Sequence, residues 1–399
     1  MKYLTRTIWI LSLVSLFNDI SSEMLYPIMP LFLQSIGFSS ILIGLLEGMA
    51  EATAGLSKGY FGRLSDSTGK RKVFVQSGYL MSAISKPMMA AFTFPAWIFA
   101  ARTADRLGKG VRTAARDAIL SDETSPENKG KVFGFHRGMD TLGAAIGPSI
   151  ALGFLFIKPG AYKLMFLLAF IPAMFGVLLT SFITEKQSKP STKTAFRLTQ
   201  IFDYLPASSS DYKKVLSILL FFALFNSSDL FLLLKIKSSL VDILPGNLVD
   251  KAVVGCYILY NIVFAFASFP LGHLADKIGL KVTLAWGLFI FAIVYAGFGL
   301  NTTLGGFIVL FVLYGIYAAS TDGVSKALVS NIVPKNETAS AIGTYTGLNS
   351  IMALLASTLA GIIWKFISPG AVFLISSAGV LLAFLALLRL RLKMETTEK

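Results

Sequence analysis

The chain has 399 residues, 54% hydrophobic, 13% aromatic and only 15% charged, with a formal net charge of +14. Soluble domains carry nearer a quarter charged residues, and a mean hydropathy of +0.69 excludes a soluble α or α/β architecture. The lone cysteine, Cys256, excludes an intramolecular disulfide and any cysteine-based metal cage.

Apolar runs of about 20 residues, long enough to cross a bilayer, recur from end to end. The first stretch, MKYLTRTIWILSLVSLFNDISSE, imitates a signal peptide, with Lys2 and Arg6 ahead of an apolar run. It lacks a small-x-small cleavage site and the apolar pattern resumes at MLYPIMPLFL, so it reads as an uncleaved first span. Twelve spans are expected, near 8–34, 40–62, 73–94, 96–120, 130–157, 161–184, 214–240, 248–272, 281–300, 303–330, 338–365 and 369–391. With the N-terminus inside, the inner loops hold most of the Lys and Arg, the bias of cytoplasmic loops. Both termini are then cytoplasmic, in a bacterial-type inner (plasma) membrane. The positive charge belongs to those loops, and no folded basic domain is left for nucleic acid.

The polar stretch EKQSKPSTKTAFRLTQIFDYLPASSSDYKK begins at Glu185 and separates spans six and seven. It divides the chain into a six-span bundle at 1–184, a cytoplasmic linker at 185–213 and a second bundle at 214–399. Internal similarity supports the division. GRLSDSTGKRK at 62–72 recurs as GHLADKIGLK at 272–281, matching Gly62, Asp66 and Gly69 to Gly272, Asp276 and Gly279. LFN at 16–18 recurs at 224–226, and Gly134 and Gly138 are answered by Gly343 and Gly347. The fold class is an all-α membrane protein, twelve transmembrane helices in two pseudo-symmetric six-helix bundles. Two halves rocking about a central site give alternating access.

At these motifs the chain resembles the major facilitator superfamily over nearly its whole length. The loop signature G-x-L-a-D-r-x-G-r-k is carried by Gly62, Leu64, Asp66, Gly69, Lys70 and Arg71. Span four resembles the R-x-x-q-G motif through Arg106 and Gly110, with Lys109 at the usual polar position. Span five resembles the signature of the drug:proton antiporter branch through Gly134, Gly143, Gly147 and Pro148, with Ala151 and Leu152 in place of its final glycine pair. YPIMPLF at 26–32 is similar to the proline-bearing first span of that branch. The resemblance implies a secondary transporter, driven by the proton gradient without a cofactor, whose spans three, six, nine and twelve face lipid. The residue chemistry agrees. Glycines suit a tight turn at a helix end, and Asp66 suits the positive N-terminal end of a neighbouring helix. Small residues in span five let two helices approach, and Pro148 permits a bend.

Charges inside spans cost roughly 2.5–3.5 kcal/mol each at mid-helix, so their placement carries information. At 1.5 Å per residue, Asp19 lies ~16 Å along span one, Asp140 ~14 Å along span five, Glu51 ~15 Å along span two, and Arg106 and Lys109 ~14–18 Å along span four. Acids and bases thus meet at the midplane. Asp19 and Glu23 are i,i+4 neighbours, as are Glu47 and Glu51. Arg102, Arg106, Lys109, Arg112 and Arg116 form one basic stripe, with Asp105 and Asp117 on its margins. Asp19, Glu23, Glu51 and Asp140 are the proton-coupling candidates, because a carboxylate taken out of water binds a proton more readily. Arg102, Arg106, Lys109 and Arg112 are candidates for the solute, the competing reading being internal pairing with the acids. In the second half Asn226, Asp229, Tyr257, Tyr260 and Tyr314 are the cavity candidates. An ionic half and an aromatic half together suit an amphiphile with an acidic group.

Other signals carry less. GLSKG at 55–59 fits G-x-S-x-G, but it ends a membrane helix where a nucleophile elbow needs a strand-to-helix turn. His136 and His273 have no partner at metal-ligand spacing, so no metal is expected, and no P-loop supports ATP drive. The expectation is a monomeric, proton-coupled exporter of a small organic or amphiphilic solute, working by antiport and not an enzyme. The alternatives are a symporter or exchanger for an organic anion, phosphate ester or metal chelate and, more remotely, a membrane receptor.

Overall fold

The computed structural model describes residues 4–124, 129–184, 200–334 and 337–391. Residues 185–199 of the expected linker lie outside the described residues, as does the Asp276 side chain. Regular structure among the described residues is helical throughout. In chain order the helices are α1 (Arg6–Leu25), α2 (Met29–Ser35), α3 (Ser40–Thr68), α4 (Arg71–Ala91), α5 (Pro95–Asp122), α6 (Lys129–Ile157), α7 (Tyr162–Thr180) and α8 (Gln200–Ala207). There follow α9 (Ser210–Leu224), α10 (Leu230–Leu240), α11 (Gly246–Ile278), α12 (Leu280–Leu300), α13 (Leu304–Asn331), α14 (Thr338–Phe366) and α15 (Pro369–Arg389).

Twelve crossings remain when α8 is set aside and α1–α2 and α9–α10 are each taken as one broken crossing. The breaks have local causes. Pro30 falls in the first turn of α2, where its missing N–H costs nothing, and the chain turns just before it. Between α9 and α10 the run Asn226-Ser227-Ser228-Asp229 offers side chains that compete with helical hydrogen bonding, and the Ser228 N–H donates to Ser357 Oγ at 3.1 Å.

The chain forms two compact units, residues 1–38 with 49–198 and residues 39–48 with 199–399. In the first unit α1 packs on α6 and α7, and α4 packs on α5 and α7. The second repeats this scheme, α9 against α14 and α15, and α12 against α13 and α15. The outward sides of α4, α7, α12 and α15 bear exposed apolar residues such as Ile84, Phe175, Trp286 and Leu382, as lipid-facing helices require.

Both copies of the loop signature turn on a glycine with positive φ, Gly69 at +66° and Gly279 at +96°, a conformation that a side chain would strain. Arg71, the first residue of α4, donates to Asp66 through Nε at 3.1 Å and Nη2 at 2.8 Å, and it also pairs with Asp122 at the end of α5. Asp66 therefore meets its helix N-terminus through a guanidinium. Lys72 donates to the Ser181 and Ile183 carbonyls at 2.9 and 2.7 Å, capping the end of α7. In the second unit Lys281 does the same to the Leu388 and Leu390 carbonyls at the end of α15.

Candidate functional site

The first unit gathers its buried charges around α5. Asp105 is the centre. Lys86 Nζ of α4 lies 2.9 Å from Asp105 Oδ1, while Arg102 Nη1 and Arg106 Nε lie 3.6 and 3.8 Å from Oδ2. Arg106 Nη1 stands 3.5 Å from Glu51 Oε1 of α3. That reach depends on Gly110, where a Cβ would collide with Ser57 and would stand 3.1 Å from the Ala54 carbonyl. Span three's one charge, Lys86, is thus 2% exposed and faces the cluster, on the side of α4 away from lipid. Ser22, Lys86, Arg102 and Asp105 share a small cavity.

The stripe continues along α5. Arg112 Nη1 donates to Ser82 Oγ at 2.6 Å, and its guanidinium sits 4.6 Å from the centre of the Tyr79 ring, a cation–π arrangement. Arg116 donates to Asp117 Oδ1 and, at 3.0 Å, to Ser15 Oγ of α1. Lys109 is exposed. Among the described residues no carboxylate comes within salt-bridge distance of Lys109 or Arg112.

Helix α6 brings Asp140 to α1. At Gly143 a Cβ would stand 2.8 Å from Asp19 Cβ and 2.9 Å from the Leu16 carbonyl, and at Gly147 2.6 Å from the Ile20 carbonyl. These two glycines, with Pro148 inside the helix, do close α6 onto α1. Gly134 does not: among the described residues nothing lies within 4 Å of its would-be Cβ, and it is exposed. Asp19 accepts from Asn18 Nδ2 at 3.2 Å, and Asp140, Glu23, Lys109 and Arg112 are the charges acting on it.

In the second unit the candidates gather at the α9–α10 break. Tyr314 OH donates to Asp229 Oδ1 at 2.5 Å, and Asn226 Nδ2 donates to Tyr317 OH at 3.3 Å. The rings of Tyr257 and Tyr260 are 5.9 Å apart, those of Tyr260 and Tyr314 5.2 Å, and those of Tyr314 and Tyr317 5.1 Å. Asp322 and Lys326 pair with each other at 3.5 Å on an exposed face. Sequence reasoning left His136, Tyr79 and Asp122 out of the site. Tyr79 and Asp122 meet Arg112 and Arg71, which are far away in the chain, so no local spacing signals them. His136 instead stands at i,i+4 spacing to Asp140, and that signal was legible. Among the described residues no group of three or more His, Cys, Asp and Glu is placed to hold a metal ion.

Two repeated helical units, long apolar helices and ion clusters buried among them define a multi-pass membrane transporter. The sequence matches the Major Facilitator Superfamily over residues 11–241 and 217–399, and the chain belongs to that family. It is similar to an uncharacterized MFS-type transporter of Methanocaldococcus jannaschii, with 35% identity over 389 residues, 97% of this chain and 95% of that one. Similarity to citrate exporter 1 of Aspergillus niger is 26% over 178 residues, 45% of this chain and 33% of that one. The crystal structure of the nucleoside transporter NupG shares the fold, with a TM-score of 0.80 at 15% identity, covering 97% of this chain and all (100%) of that one. The chain is a transporter and not an enzyme.

Proposed function

We propose that this transporter couples the movement of a small organic or amphiphilic solute bearing an acidic group to the movement of protons, across a cell inner membrane with both termini cytoplasmic. One observation carries the reading. Among the described residues Lys109 and Arg112 are two cations of α5 with no carboxylate at salt-bridge distance, and Asp19 is among the charges acting on both. A buried cation such as Arg112 without an acid is costly in a membrane span, and a solute anion received at the exposed Lys109 beside it offsets part of that cost. The likeness to a citrate exporter agrees with an anionic solute. The driving force would be the proton gradient, with no cofactor, and one chain contains both repeats that a monomeric transporter needs.

The charge balance bears on direction. A solute anion entering beside Lys109 competes with Asp19 for the same cation, so the local charge stays level if a proton arrives with it. This favours anion and proton moving together. The second reading, export by exchange against protons, is favoured by the α6 seam, whose Gly143, Gly147 and Pro148 carry the antiporter signature.

Proteoliposomes loaded with a pH-sensitive dye decide between them. Citrate, a nucleoside and a lipophilic cation are added in turn, and the sign of the dye response gives the direction of proton movement. Only the acidic solute should drive proton flux, and Lys109→Gln should weaken its apparent affinity about tenfold or more, the loss of one charge-assisted contact. Absence of proton movement with every solute would sink the coupling. Equal losses for citrate and the nucleoside would sink the assignment of Lys109 to the anion.

A further inference from the structure

His136 takes no part in the function proposed above, yet it is one of the most deeply placed titratable groups of the first unit, 3% exposed on the α6 face against α1. Its Nε2 lies 3.8 Å from Asp140 Oδ1, one helical turn further along α6. Both atoms are buried, and neither has a hydrogen-bond partner among the described residues. On the other side of the ring, Nδ1 lies 3.4 Å from Ser12 Oγ of α1. The remaining charges facing the pair are Arg116 and Asp117 of α5 and Arg137 of α6, whose Nη1 is 3.9 Å from Asp140 Oδ2. Asp140 in turn is the nearest acid in charge terms to Asp19, across the close seam at Gly143.

Two buried polar atoms facing each other at 3.8 Å form a contact that is not made but could be. A neutral imidazole with its proton on Nδ1 directs a lone pair from Nε2 at the carboxylate. Arrival of one proton converts the gap into an imidazolium–carboxylate hydrogen bond, closed by a side-chain shift of about 1 Å. An imidazole can meet Ser12 through one ring nitrogen while the other takes the proton and becomes a cation beside Asp140.

We propose that His136 is the proton-holding partner of Asp140, and that this pair receives the proton given up by Asp19. The proton leaves the Asp19 carboxyl, passes to Asp140 Oδ1 and comes to rest on His136 Nε2. Asp19 and Asp140 end ionised and His136 ends as imidazolium, so charge is conserved. The ionised Asp19 then faces Lys109 and Arg112, and the ionised Asp140 faces the imidazolium. His136 thereby sets when Asp19 is free to take its next proton. This inference rests on the proton-coupled reading, and it adds a second titrating site to that reading.

Two measurements separate the inference from the reading beneath it. The first needs no transport. The chain has two histidines, so the His273→Gln protein, labelled with 15N-histidine and placed in lipid, reports on His136 alone. The ring should change protonation reversibly, and Asp140→Asn should move the pH of that change by about 1 unit or more. A ring insensitive to Asp140→Asn overturns the pairing, whatever transport does. The second is dye-loaded proteoliposomes. His136→Gln should lower solute-driven net proton flux about 100-fold, as loss of a proton-transfer group does, while solute exchange, which needs no net proton release, falls far less. Ser12→Ala should move the pH profile in the same sense by a smaller amount. Equal loss of flux and exchange in His136→Gln makes the residue structural and overturns the proposal. Wild-type protein that moves no protons overturns the coupled reading itself, even if the spectra show the pair.

Discussion

Asp105 and Lys86 show how unequal the two ends of a buried ion pair can be. Asp105 serves three cations, Lys86, Arg102 and Arg106, whereas Lys86 contacts Asp105 at 2.9 Å as its closest acid. Removing one partner of a buried pair costs about 3–5 kcal/mol, because the other is left charged out of water. Lys86→Met leaves Asp105 two guanidinium neighbours and should fall at about 3 kcal/mol. Asp105→Asn removes the acid shared by three cations, of which Arg106 keeps Glu51, and should reach about 5 kcal/mol. Thermal unfolding of the two variants in detergent measures the order. If Lys86→Met proves the more damaging, Asp105 is not the hub. The charge on span three was visible in the sequence as an anomaly. Its partner was not, because a position 19 residues later on another helix has no spacing rule connecting it.

At the scale of elements, the contact between α6 and α1 is set by where side chains are missing. Gly143 is already in contact with α1 at its backbone, so Gly143→Leu must drive the helices apart or force strained rotamers, a cost of about 1–3 kcal/mol. The same substitution should disturb proton coupling, since it displaces Asp19 from Asp140. Gly134 belongs to the same sequence signature but faces open space. Gly134→Ala should therefore be neutral or stabilise by up to about 1 kcal/mol through helix propensity. Melting temperatures of the two variants test this; equal destabilisation would mean that Gly134 packs against something after all. A signature read as one unit thus divides into glycines that close a seam and a glycine that does not. Helix register around α6 decides which is which, and register shows only once α1 is beside it.

For the whole molecule, the second unit holds the short helix α8 through Tyr204, whose hydroxyl donates to Glu337 Oε2 at 2.8 Å at the start of α14. Both groups lie outside the crossings. Partial burial and the adjoining carboxylate push the Tyr204 phenol up to about 12. A phenol that ionises later in the folded protein than in the unfolded chain, near 10, stabilises the fold fully below that value. The contribution is lost as the pH rises from about 10 to about 12. Melting temperatures followed across that window should fall in the native protein and fall less in Tyr204→Phe; identical slopes would remove Tyr204 from the account. The sequence by itself determined the membrane class, the twelve crossings to within a few residues, the duplication and the stripe on α5. Length, hydropathy and glycine at positive φ are properties of contiguous chain, and they are legible there. Only the tertiary structure decided that Asp105 is a hub, that Lys86 turns inward, that Lys109 and Arg112 have no acid at salt-bridge distance among the described residues, and that His136 Nε2 and Asp140 Oδ1 are both buried without a hydrogen bond. Most of these depend on which side chains from different helices come together, and packing alone fixes that; for His136 and Asp140, neighbours on α6, packing against α1 fixes the burial.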